Sequence, residues 1–595
     1  MTFSTFSQYL QQLEATSSRL EMTYQLAELF QKLEPQEIPQ ACYLMQGSLV
    51  PSYQSLEFGM SEKLTMRAVA KLLNHLDQDS TLPATNLFNE QDDSLYQQKI
   101  EQKNKEIGDL GLTIEFLLFA QPTASKTELS ILEVHQKLKE IAQASGDGSQ
   151  DRKIDQTFQL LLNLSPVAAK FAVRIIIGKL RLGFSTMTMI DALSWVKYQN
   201  KSDSDKIEAA YQKKADIGKL AQGYLTSASL AAATHFLTTY QVEVGIPVMP
   251  ALCQHLNNAE EIIEKMGKVM IEPKYDGLRT QIHVNKLNQT NPYQVFTRNL
   301  DNVSHMFPEL LSAITQINAT SCILDAEAIA YNPKTGALLP FQETITRKRK
   351  HDIGHQSDKV PLKFFVFDIL YLDGKSLIDQ KLSARKQILT QIIEPNQTIA
   401  VTQDLVTDDP KKIHQYHQLQ LKNGLEGAVI KKIDATYQSG RKGWRWVKIK
   451  ESEGTQGKLN DTLDCVVMGY YRGKGKRNQF GIGAFLVGVL APDNKIKTIA
   501  KIGTGLTDDE FKYLKKIADE NISLTRPAQY DVPKTLVPDV WIAPQIVVEI
   551  AADELTTSPT HSAGKALRFP RLVKFRSDKN WEQATTVSEL EEIAM

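Results

Sequence analysis

Cysteine is scarce in this chain of 595 residues, and Cys42, Cys253, Cys322 and Cys465 lie far apart with no Cys-x-x-Cys pair among them. That spacing argues against a zinc ribbon and a disulfide framework, and reads as four buried apolar thiols. Long hydrophobic runs are missing too, so nothing in the sequence is built to span a bilayer. The opening Met1-Thr2-Phe3-Ser4 lacks a basic segment followed by an apolar core, and an intracellular location is the expectation. Net charge is absent as well, with 69 Lys and Arg against 69 Asp and Glu. No global basicity announces a nucleic-acid partner, so local patches must carry any such contact. Fixed-period repeats and low-complexity tracts are also lacking.

What is present is a soluble globular composition, 42% apolar and 23% charged, on a chain too long for one ordinary core. Residues 4–239 read as mainly helical. Within them Ser165-Pro166 is a natural helix start and Gly183 a natural end, which predicts one helix over 166–183. On it Lys170, Arg174 and Arg181 fall on one side as a basic face beside the apolar Phe171, Ile175 and Leu182. A Gly- and Ser-rich loop over 145–150 precedes it and offers backbone amides to phosphates. Val244-Gly245-Ile246-Pro247-Val248-Met249-Pro250 then breaks the helical pattern and marks a domain boundary.

Beyond that boundary strand-like runs dominate and the chemistry gathers. Glu272-Pro273-Lys274-Tyr275-Asp276-Gly277-Leu278-Arg279 sets an amine, an acid, a flexible Gly and a permanent cation in one short segment. An amine is a nucleophile near neutral pH only if burial or nearby positive charge lowers its pKa. Asp325 and Glu327 alternate onto one face of a strand, where they can hold a hard cation, position a ribose or simply face solvent. Phe364 to Leu370 is a hydrophobic strand with a ring to offer a base. Glu426-Gly427 precedes a short apolar strand ending in Lys431. Lys448 and Lys450 share one face of another strand, where like charges repel unless an anion such as a triphosphate lies between them. From about Gly454 short strands and basic turns suit a small barrel.

Taken together and in this order, these segments resemble the motifs of the covalent nucleotidyltransferases. The whole chain is similar to the ATP-dependent DNA ligases of the archaeal and eukaryotic replicative type. The resemblance implies a multidomain protein: an all-α DNA-binding domain over 1–241, an α+β adenylation (nucleotidyltransferase) domain over 242–452, and a β-barrel OB-fold domain over 453–595. It implies that Lys274 carries AMP taken from ATP and that Glu272 meets the adenine. Arg279 and Arg298 would approach the ribose and phosphates, and Phe367 would stack on the base. Glu327 and Glu426 would serve the ribose and a divalent metal, Mg²⁺ or Mn²⁺, with Lys448 and Lys450 on the triphosphate.

Before the paired lysines the family commonly shows Arg-Gly, whereas this chain has Arg441-Lys442-Gly443, so either Arg441 or Lys442 takes the nucleotide contact. Arg568 and Arg571, in a segment that resembles the family's last motif, would serve the pyrophosphate during self-adenylation and the DNA. Lys179-Leu180-Arg181-Leu182-Gly183 resembles a minor-groove signature, which adds Lys179 and Arg181 to Lys170 and Arg174 as DNA contacts. Arg347, in a basic run, suits the DNA backbone.

The implied activity is sealing of nicked double-stranded DNA by a monomer, cytoplasmic or nucleoid-associated and away from membranes, in replication, repair and recombination. Recruitment by a sliding clamp stays open, since no Gln-x-x-apolar-x-x-Phe-Phe peptide stands out. RNA ligases and capping guanylyltransferases share the Lys motif but lack a long helical region before it. An NAD-dependent ligase would need zinc-binding cysteines, and a non-catalytic clamp would need none of Lys274, Glu327 or Glu426.

Overall fold

The computed structural model describes residues 1–80, 93–120, 128–180, 182–256, 258–339, 344, 361–396, 398–449, 462–473, 480–552 and 554–593. The chain falls into two compact units, 1–450 and 451–595. Arg181, Arg347 and Lys450 lie outside the described residues.

The first unit opens with helices running from Phe3 to Thr239. Short polar side chains start many of them: Ser18, Asp109, Ser130, Asp216 and Ser229 each accept the backbone N–H three residues on, which satisfies a donor the helix leaves unpaired. Their apolar faces meet in one core that includes Phe3, Phe6, Leu10, Ile114, Phe171, Ile175 and Tyr224.

Helix α1 (Phe3–Ala15) and helix α2 (Leu110–Phe119) pack on helix α3 (Pro166–Ile176). Here the structure corrects the sequence reading twice. Ser165 does cap α3, but the helix ends at Ile176 and Gly178 follows with φ of +63°, the left-handed conformation that terminates helices. The basic face is not solvated either. Lys170 and Arg174 are 2% and 1% exposed. Lys170 lies 3.1 Å from Glu115 and 3.5 Å from Glu14, and Arg174 lies 2.8 Å from Glu14 and 3.1 Å from Asp109. The physical reason is position: α3 runs through the middle of the helical core, so every face meets a neighbour and its cations must find buried acids. Gly111 on α2 allows that approach, since a Cβ there would sit 2.8 Å from Arg174 Cγ.

Two sheets follow in the same unit. The first contains β1 (Gln254–His255), β2 (Val269–Pro273), β9 (Leu405–Thr407), β10 (Ala428–Lys432) and β11 (Trp446–Ile449), in the order β1-β11-β10-β2-β9. The second contains β3 (Leu278–Asn285), β4 (Tyr293–Thr297), β5 (Ser321–Ala330), β6 (Leu362–Leu372), β7 (Lys375–Ser376) and β8 (Ile399–Val401), in the order β4-β3-β5-β6-β7 with β8 alongside β6. Helix α4 (Leu382–Ile392) packs on β6, and helix α5 (Pro410–Lys422) on the first sheet. The chain crosses from one sheet to the other through Lys274-Tyr275-Asp276-Gly277, so a loop of four residues joins β2 to β3.

The second unit is sheet-rich. It contains β12 (Leu463–Arg472), β13 (Ile482–Leu490), β14 (Ile496–Ile502), β15 (Ile522–Ser523), β16 (Tyr530–Asp531), β17 (Val540–Ile542) and β18 (Val547–Ala551), then the ribbon of β19 (Glu554–Thr557) and β20 (Lys565–Arg568), and β21 (Arg571–Phe575). Pairing runs β15-β17-β12-β13-β14-β16, with β18 bridging β12 and β21. Among the described residues this path stays open, with no pairing between β15 and β16 that would close it into a barrel. Helix α6 (Asp508–Asp519) starts in a capping box between Thr507 and Glu510 and buries Phe511, Leu514 and Ala518.

Candidate active site

Because the loop 274–277 ties the two sheets together, a cleft of about 460 Å³ opens where they meet. The first sheet lines it with Glu272, Val429, Lys431 and Trp446, the connecting loop with Lys274, and the second sheet with Arg279, Glu327 and Phe367. Alternation along β5 sets Glu327 opposite Arg279 and Asp325 opposite Gln281, so both acids point to the cleft side of the sheet.

Lys274 is pinned by its own backbone. Its N–H donates to Gly427 O at 2.9 Å, and Glu426 N–H donates back to Lys274 O at 3.2 Å. Gly427 has φ of +125°, and a Cβ there would lie 2.9 Å from Ile449 O and 2.8 Å from His417 Nε2, so this turn requires glycine. The turn brings the Glu426 carboxylate into an ion pair with Lys274 Nζ. Burial holds the Lys274 amine below the usual lysine range; Lys448 pushes the same way, while Glu327 and Asp276 oppose it. Burial drives Glu327 the other way, pushed up to about 7 against the pull of Arg279 and Lys274. An amine whose pKa is lowered by burial is what a nucleophilic lysine requires near neutral pH.

An aromatic end completes the cleft. The Phe367 ring meets Trp446 edge-on at 5.8 Å, and Lys431 Nζ lies 4.5 Å and 4.3 Å from those two ring centres. Glu272, 2% exposed, sits between two lysines: Lys386 Nζ at 2.7 Å and Lys431 Nζ at 2.5 Å. Tyr275 stacks on Phe365 at 4.3 Å beside the lysine loop.

The remaining sequence candidates are dispersed. Arg298 lines the cleft and is exposed. Arg279 lines it too, but directs most of its donors at protein: Nε and Nη2 to Asp325 at 3.1 Å and 2.6 Å, and Nη1 to Ala251 O at 2.5 Å. Tyr437 supports this pairing by donating to Asp325 Oδ2 at 2.9 Å. Lys448 stands on β11 between the core residues Val447 and Ile449. Arg441 and Lys442 are not brought to the cleft: Arg441 is exposed, and Lys442 pairs with Glu208 of the helical region at 2.8 Å. Lys179 pairs with Glu62, so it too has a partner within the helices. Arg568 and Arg571 stand exposed at the end of β20 and the start of β21 in the second unit. Cys42, Cys322 and Cys465 are buried as expected, whereas Cys253 is half-buried and lines the cleft.

The sequence reading missed Lys386, Tyr437 and the bond between Asp325 and Arg279. Lys386 sits in Leu382-Ser383-Ala384-Arg385-Lys386, which reads as a plain helix surface. Only the packing of α4 against β6, fixed by Arg385 binding Asp368 at 2.7 Å and 2.9 Å, aims it inward.

Among the described residues no three His, Cys, Asp or Glu side chains gather as a ready-made metal site. Glu327 and Glu426, which flank Lys274, fit a divalent ion that arrives with phosphate oxygens to complete its shell. A cation there would also favour the ionised form of Glu327.

Comparison with known proteins points the same way. A family model for the DNA ligase N terminus matches residues 2–194, one for the ATP dependent DNA ligase domain matches 250–450, and one for the ATP dependent DNA ligase C terminal region matches 478–579. A protein named "Probable DNA ligase" from Dictyoglomus turgidum is 40% identical over 603 residues, covering 100% of this chain and 97% of that one. "DNA ligase 2" of Thermofilum pendens is 35% identical over 618 residues, with 100% and 97% covered. The solved structure Pmar-Lig_Pre is 16% identical, with 96% of this chain and 99% of that one covered, and shares the fold at a TM-score of 0.54. With three matching models spread along its length and full-length relatives at this identity, the chain belongs to the family of ATP-dependent DNA ligases.

Proposed function

We propose that this protein seals 5′-phosphate/3′-hydroxyl nicks in duplex DNA through a lysyl-AMP intermediate on Lys274. The observation that carries the reading is the Lys274 amine, held below its ordinary pKa and flanked by Glu426 and Glu327 at the mouth of an aromatic-lined cleft. ATP enters with its adenine against Phe367 and Glu272 and its phosphates toward Lys274, Lys448 and Arg298. Lys274 Nζ attacks the α-phosphorus, the bond to the β-phosphate oxygen breaks, and pyrophosphate leaves as a phosphoramidate forms. An oxygen of the nick's 5′-phosphate then attacks the same phosphorus and Lys274 departs with its electron pair. Finally the 3′-hydroxyl attacks the 5′-phosphate, loses its proton and expels AMP.

Glu426 accepts the hydrogen bond that orients Lys274 and is placed to receive the proton the amine gives up. Glu327 and Glu426 would hold the divalent ion, which when bound supplies positive charge to the phosphates. Lys448 and Arg298 add fixed positive charge around the leaving pyrophosphate.

We further read the chain as three domains, 1–241, 242–452 and 453–595, the last an OB-fold. That reading draws on the short strands of the second unit and its basic edge at Arg568, Arg571 and Lys574. Lys179, Arg181 and Arg347 remain the proposed DNA contacts in the first two. The protein acts as a monomer inside the cell, in replication, repair and recombination.

ATP labelled at the α-phosphate tests the central claim. Wild-type protein should become covalently labelled and Lys274→Ala should not. Label that persists in Lys274→Ala, or that never attaches to the wild type, overturns the proposal.

A further inference from the structure

A carboxylate that faces a base must be aimed, and Glu272 is held from two directions. Oε1 accepts from Lys386 Nζ at 2.7 Å, and Oε2 lies 2.5 Å from Lys431 Nζ. Lys431 is seated over the rings of Phe367 and Trp446 and donates to Phe367 O at 3.3 Å. Lys386 is seated differently, from the back of the site. It reaches in from α4, where its neighbour Arg385 is locked on Asp368, and besides Glu272 its ammonium meets Thr402 O at 2.8 Å and Asp404 Oδ1 at 3.4 Å. An ammonium has three protons, and these three acceptors match them. Glu272 and Thr402 line the cleft; Lys386 stands behind both.

We propose that Lys386 is a positioning residue for base choice: by holding Glu272 Oε1, it keeps a carboxylate acceptor aimed so that a 6-amino purine is favoured over a 6-oxo purine. The proposal rests on the reading that Glu272 faces the base. A carboxylate has about four lone-pair directions, so two lysines leave room for it to accept from an exocyclic amino group. The carbonyl of a 6-oxo purine would set acceptor against acceptor. Lys386, with its protons engaged, cannot turn to donate to it. Discrimination of this kind arises because buried polar groups would be left unpaired by the wrong ligand. Removing Lys386 frees Glu272 to pivot about Lys431 and leaves Asp404 without its cation. Correct binding weakens, and the barrier against the wrong base falls.

The test measures transfer of label from α-labelled ATP and from α-labelled GTP to the full-length protein. Lys386→Met should raise KM for ATP roughly tenfold, the worth of one hydrogen bond to a charged group, with kcat for self-adenylation little changed. It should also narrow the ratio of ATP to GTP use. Asp404→Asn, at a partly exposed position that disturbs folding less, should shift the ratio in the same direction by roughly two- to threefold. A ratio that stays at the wild-type value in both variants, or equal losses with both nucleotides, means that Lys386 only supports the fold and overturns the proposal. Glu272→Gln separates this from the reading beneath it. If that variant also keeps the wild-type ratio, Glu272 does not face the base; if it alone changes the ratio, only the role of Lys386 falls.

Discussion

Arg174 offers the sharpest test of what the helical region does with its positive charge. On sequence it sits on a DNA-facing basic stripe; in the structure it is 1% exposed and bound to Asp109 and Glu14. Arg174→Met keeps most of the side-chain volume and removes the guanidinium. Asp109, 5% exposed, then loses the guanidinium that neutralises its buried charge, while its capping bond to Leu112 N–H at 2.8 Å stays. Removing one member of a buried pair costs about 3–5 kcal/mol. At about 2–4 °C per kcal/mol for a region of this size, the helical circular dichroism should melt about 6–20 °C lower.

Arg174→Met combined with Asp109→Asn should recover much of that loss, because asparagine caps a helix nearly as well and carries no charge. Affinity for nicked DNA, measured by fluorescence anisotropy from about 50 to 200 mM salt, should keep its slope, whereas loss of a phosphate contact lowers the slope by about 0.9. An unchanged melting temperature together with a shallower slope would refute the reasoning and restore Arg174 to the DNA face.

Further predictions concern the cleft. Glu327 is pushed up from 4.5 to about 7, so the folded state holds a proton there that the unfolded chain has already released. Stability should therefore fall as pH rises from 4.5 to 7, by on the order of 2–3 kcal/mol, and Glu327→Gln should flatten that slope in thermal unfolding while losing self-adenylation. An unaltered pH slope in the variant would show that another group titrates. Gly427→Ala forces a left-handed position and sets a Cβ against Ile449 O, so self-adenylation should fall sharply and stability should drop by roughly 1–3 kcal/mol of strain, read from thermal unfolding. Wild-type labelling rates would refute the pinning of Lys274. Arg568→Ala should impair self-adenylation more than sealing of pre-adenylated DNA, and equal losses in both assays would contradict its assignment to the first step. Lys442→Ala should leave KM for ATP unchanged, because its ammonium is held by Glu208 outside the cleft; a several-fold rise would return it to the nucleotide.

The sequence by itself determined the chemistry-bearing positions that lie close together along the chain. Lys274 and Gly277 follow directly on β2, Glu426-Gly427 precedes β10, and period-two alternation places Asp325 with Glu327 on one strand face. A strand's geometry fixes which side chains share a face whatever surrounds it, so these were legible before any fold. The change from helices to strands near residue 250 was legible for the same reason.

Tertiary structure alone decided what each charge meets. Helical spacing gathered Lys170 and Arg174 on one side, but whether that side met water or Glu14, Asp109 and Glu115 depended on α1 and α2 arriving from distant sequence. The same dependence hid Lys386, which is a helix residue like any other until α4 packs on β6 and aims it at Glu272 from 114 positions away. Local periodicity reports the direction of a side chain relative to its own element; burial and ion pairing are properties of the space between elements, and only the packed chain defines that space.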